Sequence, residues 1–247
     1  MKINPVAFTL FGIDVRWYGI LIAFGALLAI YFADKLANER KIYKDFINDF
    51  SIITLIAGLI GARTYYVIFQ WSYYSQHKDE ILSIRNGGLA IYGAIIVGII
   101  VAIIFSRVKK IDFWDIADVC APGLALAQGI GRWGNFINGE AHGGPTNLPW
   151  AILVNGQRVH PTFLYESILD ISIFLFLYFY LDKHEKFRGQ LFTTYMILYG
   201  IGRFFIEGLR TDSLYIGMFR VSQLVSLVLV AVGIAVSIIN RKKLVNK

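Results

Sequence analysis

Charged residues and cysteines are scarce in this chain, and each scarcity excludes a class of protein. Asp, Glu, Lys and Arg make up 17% of the 247 residues, whereas hydrophobic residues make up 56% and the mean hydropathy is +0.57. Because soluble globular domains carry about 25% charged residues, this composition excludes an ordinary soluble fold and predicts an integral membrane protein. The single cysteine, Cys120, excludes a disulfide within the chain.

Several catalytic motifs are also absent. The sequence contains neither the G-x-S-x-G nucleophile motif nor the H-E-x-x-H zinc motif. Cys120 has no histidine within a few helical turns, so we interpret it as a small apolar residue of a helix. We interpret Asp112, Asp115 and Asp118 as caps of the helix that follows, because the helix dipole favours carboxylates at its N-terminus. We therefore predict no metal site and no cofactor.

Seven apolar runs are candidates for membrane-spanning helices, which need about 17 to 25 mainly apolar residues. They are Trp17–Ala37, Ser51–Trp71, Leu89–Phe105, Ile116–Ile130, Ile168–Leu181, Gly189–Phe205 and Val221–Ile239. The first is too long for the apolar part of a signal peptide, so we expect a retained helix. The fourth and fifth are short, and we expect the polar segment between them to complete their ends inside the protein. The predicted fold is an all-α, polytopic membrane protein with seven transmembrane helices in a single domain, 1–247.

Positive charge is distributed unevenly between the two sets of loops that seven crossings would create. Most of the 24 Lys and Arg residues belong to one set, and the opposite set is smaller and consists mostly of arginines. The positive-inside rule places the richer set in the cytoplasm, with the N-terminus outside and the C-terminus inside. Basic loops facing anionic lipid account for most of the net charge of +7, so no nucleic-acid partner is needed.

Polar residues gather directly after the fourth apolar run. The segment GRWGNFINGEAHGG, from Gly131 to Gly144, contains Arg132, Asn135 and Glu140. Ionisable groups at membrane depth are costly, so this segment predicts a functional site. The planar guanidinium of arginine suits bidentate contact with phosphate or carboxylate. We therefore expect an anion-binding site at the outer membrane face.

A second group of charges lies at the end of the sixth run. Tyr199, Arg203, Glu207 and Arg210 recur every three or four residues, which places all four on one face of a helix that continues through Arg210. A salt bridge between Arg203 and Glu207 that only stabilises the helix is the alternative interpretation. The second arginine favours a functional site, because one glutamate cannot neutralise both.

Glycines lie beside candidate site residues at two places in the chain. Gly87 and Gly88 precede the third apolar run, which carries Tyr92 in its first turn, and helix starts of this kind can bind anions through free backbone N–H groups. Glycines are also interleaved with Arg132 and Asn135, and they permit close approach of a ligand or of another helix.

Five motifs together resemble the prolipoprotein diacylglyceryl transferase family. They are RWYG at Arg16–Gly19, GGLAIYGA at Gly87–Ala94, GRWGNFINGE at Gly131–Glu140, HPTFLYE at His160–Glu166 and GRFFIEGLRTD at Gly202–Asp212. They occur in the family's order and cover nearly the whole chain. The resemblance implies a seven-helix enzyme of the bacterial plasma membrane, and the charge distribution predicts that its active site faces the outer leaflet. It implies transfer of the diacylglyceryl group of phosphatidylglycerol to the lipobox cysteine of preprolipoproteins, with release of glycerol 1-phosphate.

The resemblance also implies roles for individual residues. Those implied as catalytic are Tyr92, Arg203 and Glu207, and those implied as substrate-binding are Arg132, Asn135, Glu140, Gly143, Tyr18 and Arg210. Arg132 matches the arginine that contacts phosphatidylglycerol. Many family members have a histidine at Tyr92, where it has been considered a base, so we expect the tyrosine to act as a hydrogen-bond donor. An interfacial aromatic belt explains Tyr18 equally well.

Other interpretations remain open at this point. Glu140, Glu207, His142 and His160 are further candidates for a base, and Glu166 is expected to cap or position the fifth predicted helix. A small membrane transporter, or a lipid-binding protein with an outer-face anion site, is the alternative function. A transporter is expected to have internal repeats and a site near the membrane midplane. An intramembrane hydrolase is disfavoured because it would need a nucleophile of its own.

Overall fold

The computed structural model describes residues 4–42, 45–84 and 87–245, and it is mainly helical. The helices are α1 (Trp17–Glu39), α2 (Phe46–Phe69), α3 (Trp71–Tyr74), α4 (Ile91–Lys109), α5 (Phe113–Asn138), α6 (Thr162–Leu175), α7 (Gln190–Leu209) and α8 (Val221–Val245). A π-helical segment, Phe176–Leu181, and a short 3-10 segment, Asp182–His184, continue α6, and a further 3-10 turn spans Lys78–Glu80.

Among the described residues, three short antiparallel hairpins add strand structure that the all-α prediction did not include. They pair β1 (Val6–Leu10) with β2 (Ile13–Arg16), β3 (Ile152–Val154) with β4 (Gln157–Val159), and β5 (Tyr215–Ile216) with β6 (Phe219–Arg220). The first two turns, at Phe11–Gly12 and Asn155–Gly156, have positive φ at both central residues. This geometry matches the right-handed twist of the flanking strands, and glycine adopts it without steric cost.

Each predicted apolar run coincides with one of the long helices. Five of the helices among the described residues are long and apolar enough to cross a membrane: α1, α2, α4, α6 with its continuation to His184, and α8. Polar residues extend α5 and α7 and lower their hydropathy, although both have the length of a span. The number of crossings and the orientation of the termini stay predictions. Lys2, Lys44, Arg85 and Lys247, which contribute to the predicted charge asymmetry, lie outside the described residues.

The chain forms two compact units, whereas the prediction of a single domain remains untested. One unit comprises Asp34–Ile116, and the other comprises the chain up to Ala33 and from Ala117 onward. In the first of these, a Cβ on Gly61 of α2 would lie only 2.8 Å from the carbonyl oxygen of Gly93 in α4. The two backbones therefore approach as closely as small residues permit.

Arg63 organises the entry to α4 in the same unit. Its buried guanidinium donates hydrogen bonds to the carbonyl oxygens of Glu80, Ile81, Gly87 and Gly88 over distances of 2.7–3.0 Å. The carbonyl oxygens of Gly87 and Gly88 therefore accept hydrogen bonds from Arg63, a positively charged residue of the same chain. Gly87 and Gly88 both have positive φ, which explains why glycine stands there.

The three aspartates before and within α5 differ in role, which corrects the prediction that all cap that helix. The Asp112 side chain accepts a hydrogen bond from the backbone N–H of Trp114 at 2.8 Å, as a cap does. Asp118 is fully buried and accepts hydrogen bonds from the backbone N–H groups of Gly189 (2.6 Å) and Phe192 (2.9 Å). Asp118 therefore caps α7, because its position inside α5 faces the start of that helix.

Candidate active site

Five charged side chains from three helices converge within the unit that contains α6 to α8 and most of α5. We call them the arginine–glutamate cluster: Arg132 of α5, Glu166 of α6, Arg203 and Glu207 of α7, and Arg210 at the end of α7. Both glutamates are only 1% exposed. Buried charges are retained where they are paired, so the contacts within the cluster decide whether it is stable.

Glu166 is the centre of the cluster. Its Oε2 lies 2.7 Å from Nη2 of Arg132, and its Oε1 lies 2.7 Å from Nη1 of Arg203 and 3.4 Å from Nη1 of Arg210. A single buried carboxylate therefore joins three guanidinium groups. Of the two roles expected for Glu166, to cap or to position its helix, the structure does not support the cap: Glu166 lies in the second turn of α6, and its carboxylate contacts the arginines.

The charges of α7 pair with each other as their spacing predicted. Nη2 of Arg203 lies 2.6 Å from Oε2 of Glu207, one turn along the helix, and Nε of Arg210 lies 3.9 Å from the same oxygen. Arg210 also forms a bidentate contact with Asp212, with N–O distances of 2.9 and 2.7 Å. The salt bridge between Arg203 and Glu207 is thus part of a larger network rather than an isolated helix-stabilising pair.

Asp212 is held in its ionised form by this contact. Partial burial alone would raise the pKa of Asp212, but the hydrogen bonds and positive charge of Arg210 outweigh it and hold the pKa below its usual value. The three arginines therefore face three carboxylates, namely those of Glu166, Glu207 and Asp212. These three carboxylates equal the three guanidinium groups in number.

Arg132 is the arginine with the fewest protein contacts in the cluster. Among the described residues, its ion pair with Glu166 is the one contact within ion-pair or hydrogen-bond distance, and its side chain is 19% exposed. The guanidinium has five N–H donors, so most of them remain for a ligand. Arg132 can therefore contact an anion while it keeps its ion pair with Glu166.

The loop after α5 contacts the start of α6 and the end of α7. Nδ2 of Asn135 donates a hydrogen bond to Oε1 of Glu140 at 3.2 Å, which fixes the exposed carboxylate near the helix end. Gly143 forms an isolated antiparallel β-bridge with Arg210. A Cβ on Gly143 would lie 2.7 Å from Cβ of His160 and 2.8 Å from the carbonyl oxygen of Leu209. Only glycine fits there, so Gly143 fixes the backbone that carries Arg210.

Tyr18 lies in the first turn of α1, beside the α5 segment that carries Arg132 and Asn135. A Cβ on Gly134 would overlap the Tyr18 ring, so the ring lies directly on the α5 backbone. The side chain is 38% exposed, which leaves part of the ring available to a ligand or to lipid. The structure thus brings Tyr18 to the predicted site, together with Arg132, Asn135, Glu140, Gly143, Arg203, Glu207 and Arg210.

Tyr92 belongs to the other unit and is described there. It lies in the first turn of α4, is 37% exposed, and its ring centroid is 6.4 Å from that of Tyr65. Its catalytic role stays a prediction.

Of the histidines proposed as bases, His142 lies in the loop after α5 and His160 lies just before α6. Nδ1 of His160 is 3.3 Å from the Tyr165 hydroxyl, and Nδ1 of His142 is 3.3 Å from the carbonyl oxygen of Gly143. No group of three His, Cys, Asp or Glu side chains suited to a metal ion occurs in the part of the chain that the structure describes.

Sequence reasoning missed Asp170, which lies one helical turn beyond Glu166. Asp170 is fully buried, and neither of its carboxylate oxygens has a hydrogen-bond partner among the described residues. The positive charges of Arg132 and Arg203 interact electrostatically with the Asp170 carboxyl group. Two carboxylates four residues apart inside an apolar helix were the signal that could have identified both residues.

Comparisons with known proteins agree with the motif resemblance. A family model described as prolipoprotein diacylglyceryl transferase matches residues 5–239. A protein of Finegoldia magna is 52% identical over 98% of each chain, and one of Clostridioides difficile is 54% identical over 97% of this chain and 96% of its own. A protein of a Nostoc species is 46% identical over 94% of this chain and 87% of its own. All three are named phosphatidylglycerol–prolipoprotein diacylglyceryl transferase.

Proposed function

Because the chain belongs to the prolipoprotein diacylglyceryl transferase family, we propose that it transfers the diacylglyceryl group of phosphatidylglycerol to the lipobox cysteine of preprolipoproteins. The products are a thioether-linked lipoprotein precursor and glycerol 1-phosphate. The observation that carries this proposal is the convergence of Arg132, Arg203 and Arg210 on one buried carboxylate, Glu166. Such an arrangement holds guanidinium groups in place before a phosphate arrives.

The reaction replaces a carbon–oxygen bond by a carbon–sulfur bond. The cysteine sulfur attacks the glycerol carbon that bears the phosphate, and the bonding electrons leave with the phosphate oxygen. The thiol proton departs from the sulfur, and the released phosphate monoester can accept a proton. Negative charge increases on the leaving phosphate in the transition state, so a preorganised arginine stabilises that state more than the ground state.

Arg132 is the arginine proposed to contact the phosphate. Its guanidinium is oriented by Glu166 at 2.7 Å and still has N–H donors for a ligand. Asn135, Glu140, Gly143, Tyr18 and Arg210 form the rest of the proposed substrate site. The nucleophile belongs to the peptide substrate, so the enzyme needs no reactive cysteine of its own.

Arg203 and Glu207 are proposed to organise the thiol and the leaving group. Glu207 is buried and contacts Arg203 at 2.6 Å, which supports a fixed rather than a mobile carboxylate. Tyr92 is proposed to donate a hydrogen bond from its hydroxyl group, because a phenol is a poor general base beside the imidazole found in many family members.

The proposed membrane arrangement has seven crossings, with the N-terminus outside and the C-terminus in the cytoplasm of a bacterial plasma membrane. The charge asymmetry supports it. The end of α5, the start of α6 and the end of α7 meet at the arginine–glutamate cluster. With alternating crossings, these ends share the outer face with the starts of α1 and α8, so the site would open to the outer leaflet.

A reconstitution assay tests the proposal. Purified protein is incubated with phosphatidylglycerol and a lipobox peptide that contains cysteine, without added metal, and glycerol phosphate is measured. We expect glycerol phosphate and lipidated peptide in equal amounts, and neither product with a control peptide that has serine in place of cysteine. Binding of phosphatidylglycerol without release of glycerol phosphate would instead support the lipid-binding alternative.

A further inference from the structure

The β5–β6 hairpin between α7 and α8 exposes an unusual number of apolar side chains. Met218 at its tip is 90% exposed, and Leu214, Tyr215, Ile216 and Phe219 are each more than half exposed. Contiguous exposed apolar surface of this kind is uncommon on protein that faces water, and it marks a site of contact with a partner or a membrane.

Hairpin geometry alone does not require apolar residues. The β3–β4 hairpin of the same unit has the polar tip Asn155–Gly156–Gln157–Arg158, and these residues are exposed as well. The β1–β2 hairpin instead resembles β5–β6, because Phe11 at its tip is 95% exposed. The two apolar hairpins share one feature that the polar hairpin lacks. Each ends in an arginine, Arg16 or Arg220, that directly precedes a long apolar helix.

The β5–β6 hairpin is fixed to the start of α8. The backbone N–H of Val221, the first residue of α8, donates a hydrogen bond to the carbonyl oxygen of Leu214 at 2.9 Å. Nη1 of Arg220 donates hydrogen bonds to the carbonyl oxygens of Glu207 and Arg210 at the end of α7. The position of the hairpin along the α8 axis is therefore set by the fold.

Its apolar surface continues that of α8. The apolar window of α8 has a mean hydropathy of 2.4, and little of it is buried within the protein. The Arg220 guanidinium lies 5.7 Å from the centroid of the Tyr215 ring, so a cationic and an aromatic group stand where the helix begins. Arginine and tyrosine are the side chains that reside at the headgroup level while apolar neighbours lie deeper.

We infer that the β5–β6 hairpin lies in the boundary between headgroups and acyl chains at the membrane face where α8 begins, with Ile216, Met218 and Phe219 in lipid. The hairpin would thus hold the end of α7, and with it Arg210, at a constant depth below the headgroups. This inference depends on α8 lying in the bilayer and not on the reaction, so the two can fail separately.

Site-directed spin labelling measures the depth. Cys120, the single cysteine, is replaced by alanine, and Met218→Cys carries a nitroxide in nanodiscs that contain phosphatidylglycerol. Collisions with oxygen, which concentrates in lipid, are compared with collisions with a water-soluble nickel chelate. Asn155→Cys at the polar hairpin is the matched aqueous reference, and Val228→Cys on the exposed face of α8 is the lipid reference. Ile216→Cys replaces Met218→Cys if the latter is not monodisperse.

We expect the ratio of oxygen to nickel accessibility at position 218 to exceed that at position 155 severalfold and to approach that at position 228. Equal ratios at positions 218 and 155 would overturn the inference, because the hairpin would then face water. Shielding of position 218 from both reagents would overturn it as well, since a second copy or another protein would then cover the hairpin.

Discussion

At the residue scale, Glu166 determines whether three arginines can lie side by side within the arginine–glutamate cluster. Guanidinium groups repel each other, and the repulsion grows as water is excluded. Glu166 offsets it by contacting all three arginines, and Glu207 and Asp212 neutralise the remaining charge. The carboxylates are therefore as necessary as the arginines to the architecture of the proposed phosphate site.

Replacing Glu166 by glutamine tests this role. Glu166→Gln keeps the shape of the side chain but leaves buried arginine charge without its partner, a change that typically costs about 3–5 kcal/mol. We expect a lower unfolding temperature and loss of transfer. The matched control is Glu39→Gln at the exposed end of α1, which we expect to leave both properties unchanged. A Glu166→Gln protein with normal stability would contradict the central position of this carboxylate.

Tyr92 offers a second test at this scale. If its hydroxyl donates a hydrogen bond that strengthens in the transition state, Tyr92→Phe should lower kcat by about 10²–10³-fold, as loss of one such donor does elsewhere. Tyr92→His, which restores the residue found in many family members, should retain more activity than Tyr92→Phe. An unchanged kcat in Tyr92→Phe would show that the aromatic ring alone suffices.

The shared face of the α7 residues was predictable from sequence, whereas the contact of Glu166 with their side chains was not. Arg203, Glu207 and Arg210 follow helical spacing, so their shared face could be read directly. Glu166 lies far from them along the chain, and its position shortly after His160 and Pro161 suggested a role at the start of the helix. The spacing of residues shows which side chains share a face of one helix, but it does not show which other helix packs against that face.

At the element scale, the close approach of the loop after α5 to the end of α7 depends on Gly143. Its β-bridge to Arg210 leaves no space for a Cβ, because His160 and Leu209 lie on either side. The adjacent Gly144 is different: the nearest atom to its Cβ would be Cγ2 of Thr211 at 3.9 Å. The two glycines therefore form a matched pair.

We expect Gly143→Ala to displace the backbone at Arg210, lowering both the unfolding temperature and kcat/KM, while Gly144→Ala leaves both near the values of the unmodified protein. Overpacking of this kind typically costs about 1–3 kcal/mol. Thermal unfolding and the glycerol phosphate assay measure the two effects. Equal behaviour of the two variants would show that the β-bridge does not hold Arg210.

The positions of the long helices were predictable from sequence, and their ends were not. Apolar runs located the helices because their length is set by the membrane. The last turns of α5, which ends at Asn138, contain polar residues, so a search for apolar runs ends before them. Asp118 caps α7 only because α5 and α7 are adjacent, which the sequence does not show. The strands of the hairpins are too short to give a clear alternating pattern in the sequence.

At the scale of the whole molecule, the proposed orientation makes a direct prediction. With the N-terminus outside, the turn at Asn155 should face the exterior and the loop at Lys110 should face the cytoplasm. In intact cells of a Cys120→Ala background, we expect Asn155→Cys to react with a membrane-impermeant maleimide. Lys110→Cys should react only after the cells are opened. The reverse pattern would contradict the orientation and place the arginine–glutamate cluster on the cytoplasmic side.

The central claim is that Arg132 stabilises the departing phosphate, and the rate of glycerol phosphate release by Arg132→Ala tests it most directly. Glu166 keeps its contacts with Arg203 and Arg210 in this variant, so the protein should remain folded. Arg107→Ala, at the exposed end of α4, is the control and should release glycerol phosphate at the unmodified rate. The account predicts a loss of about 10²–10³-fold in kcat for Arg132→Ala. A folded Arg132→Ala protein that releases glycerol phosphate at the full rate would contradict it.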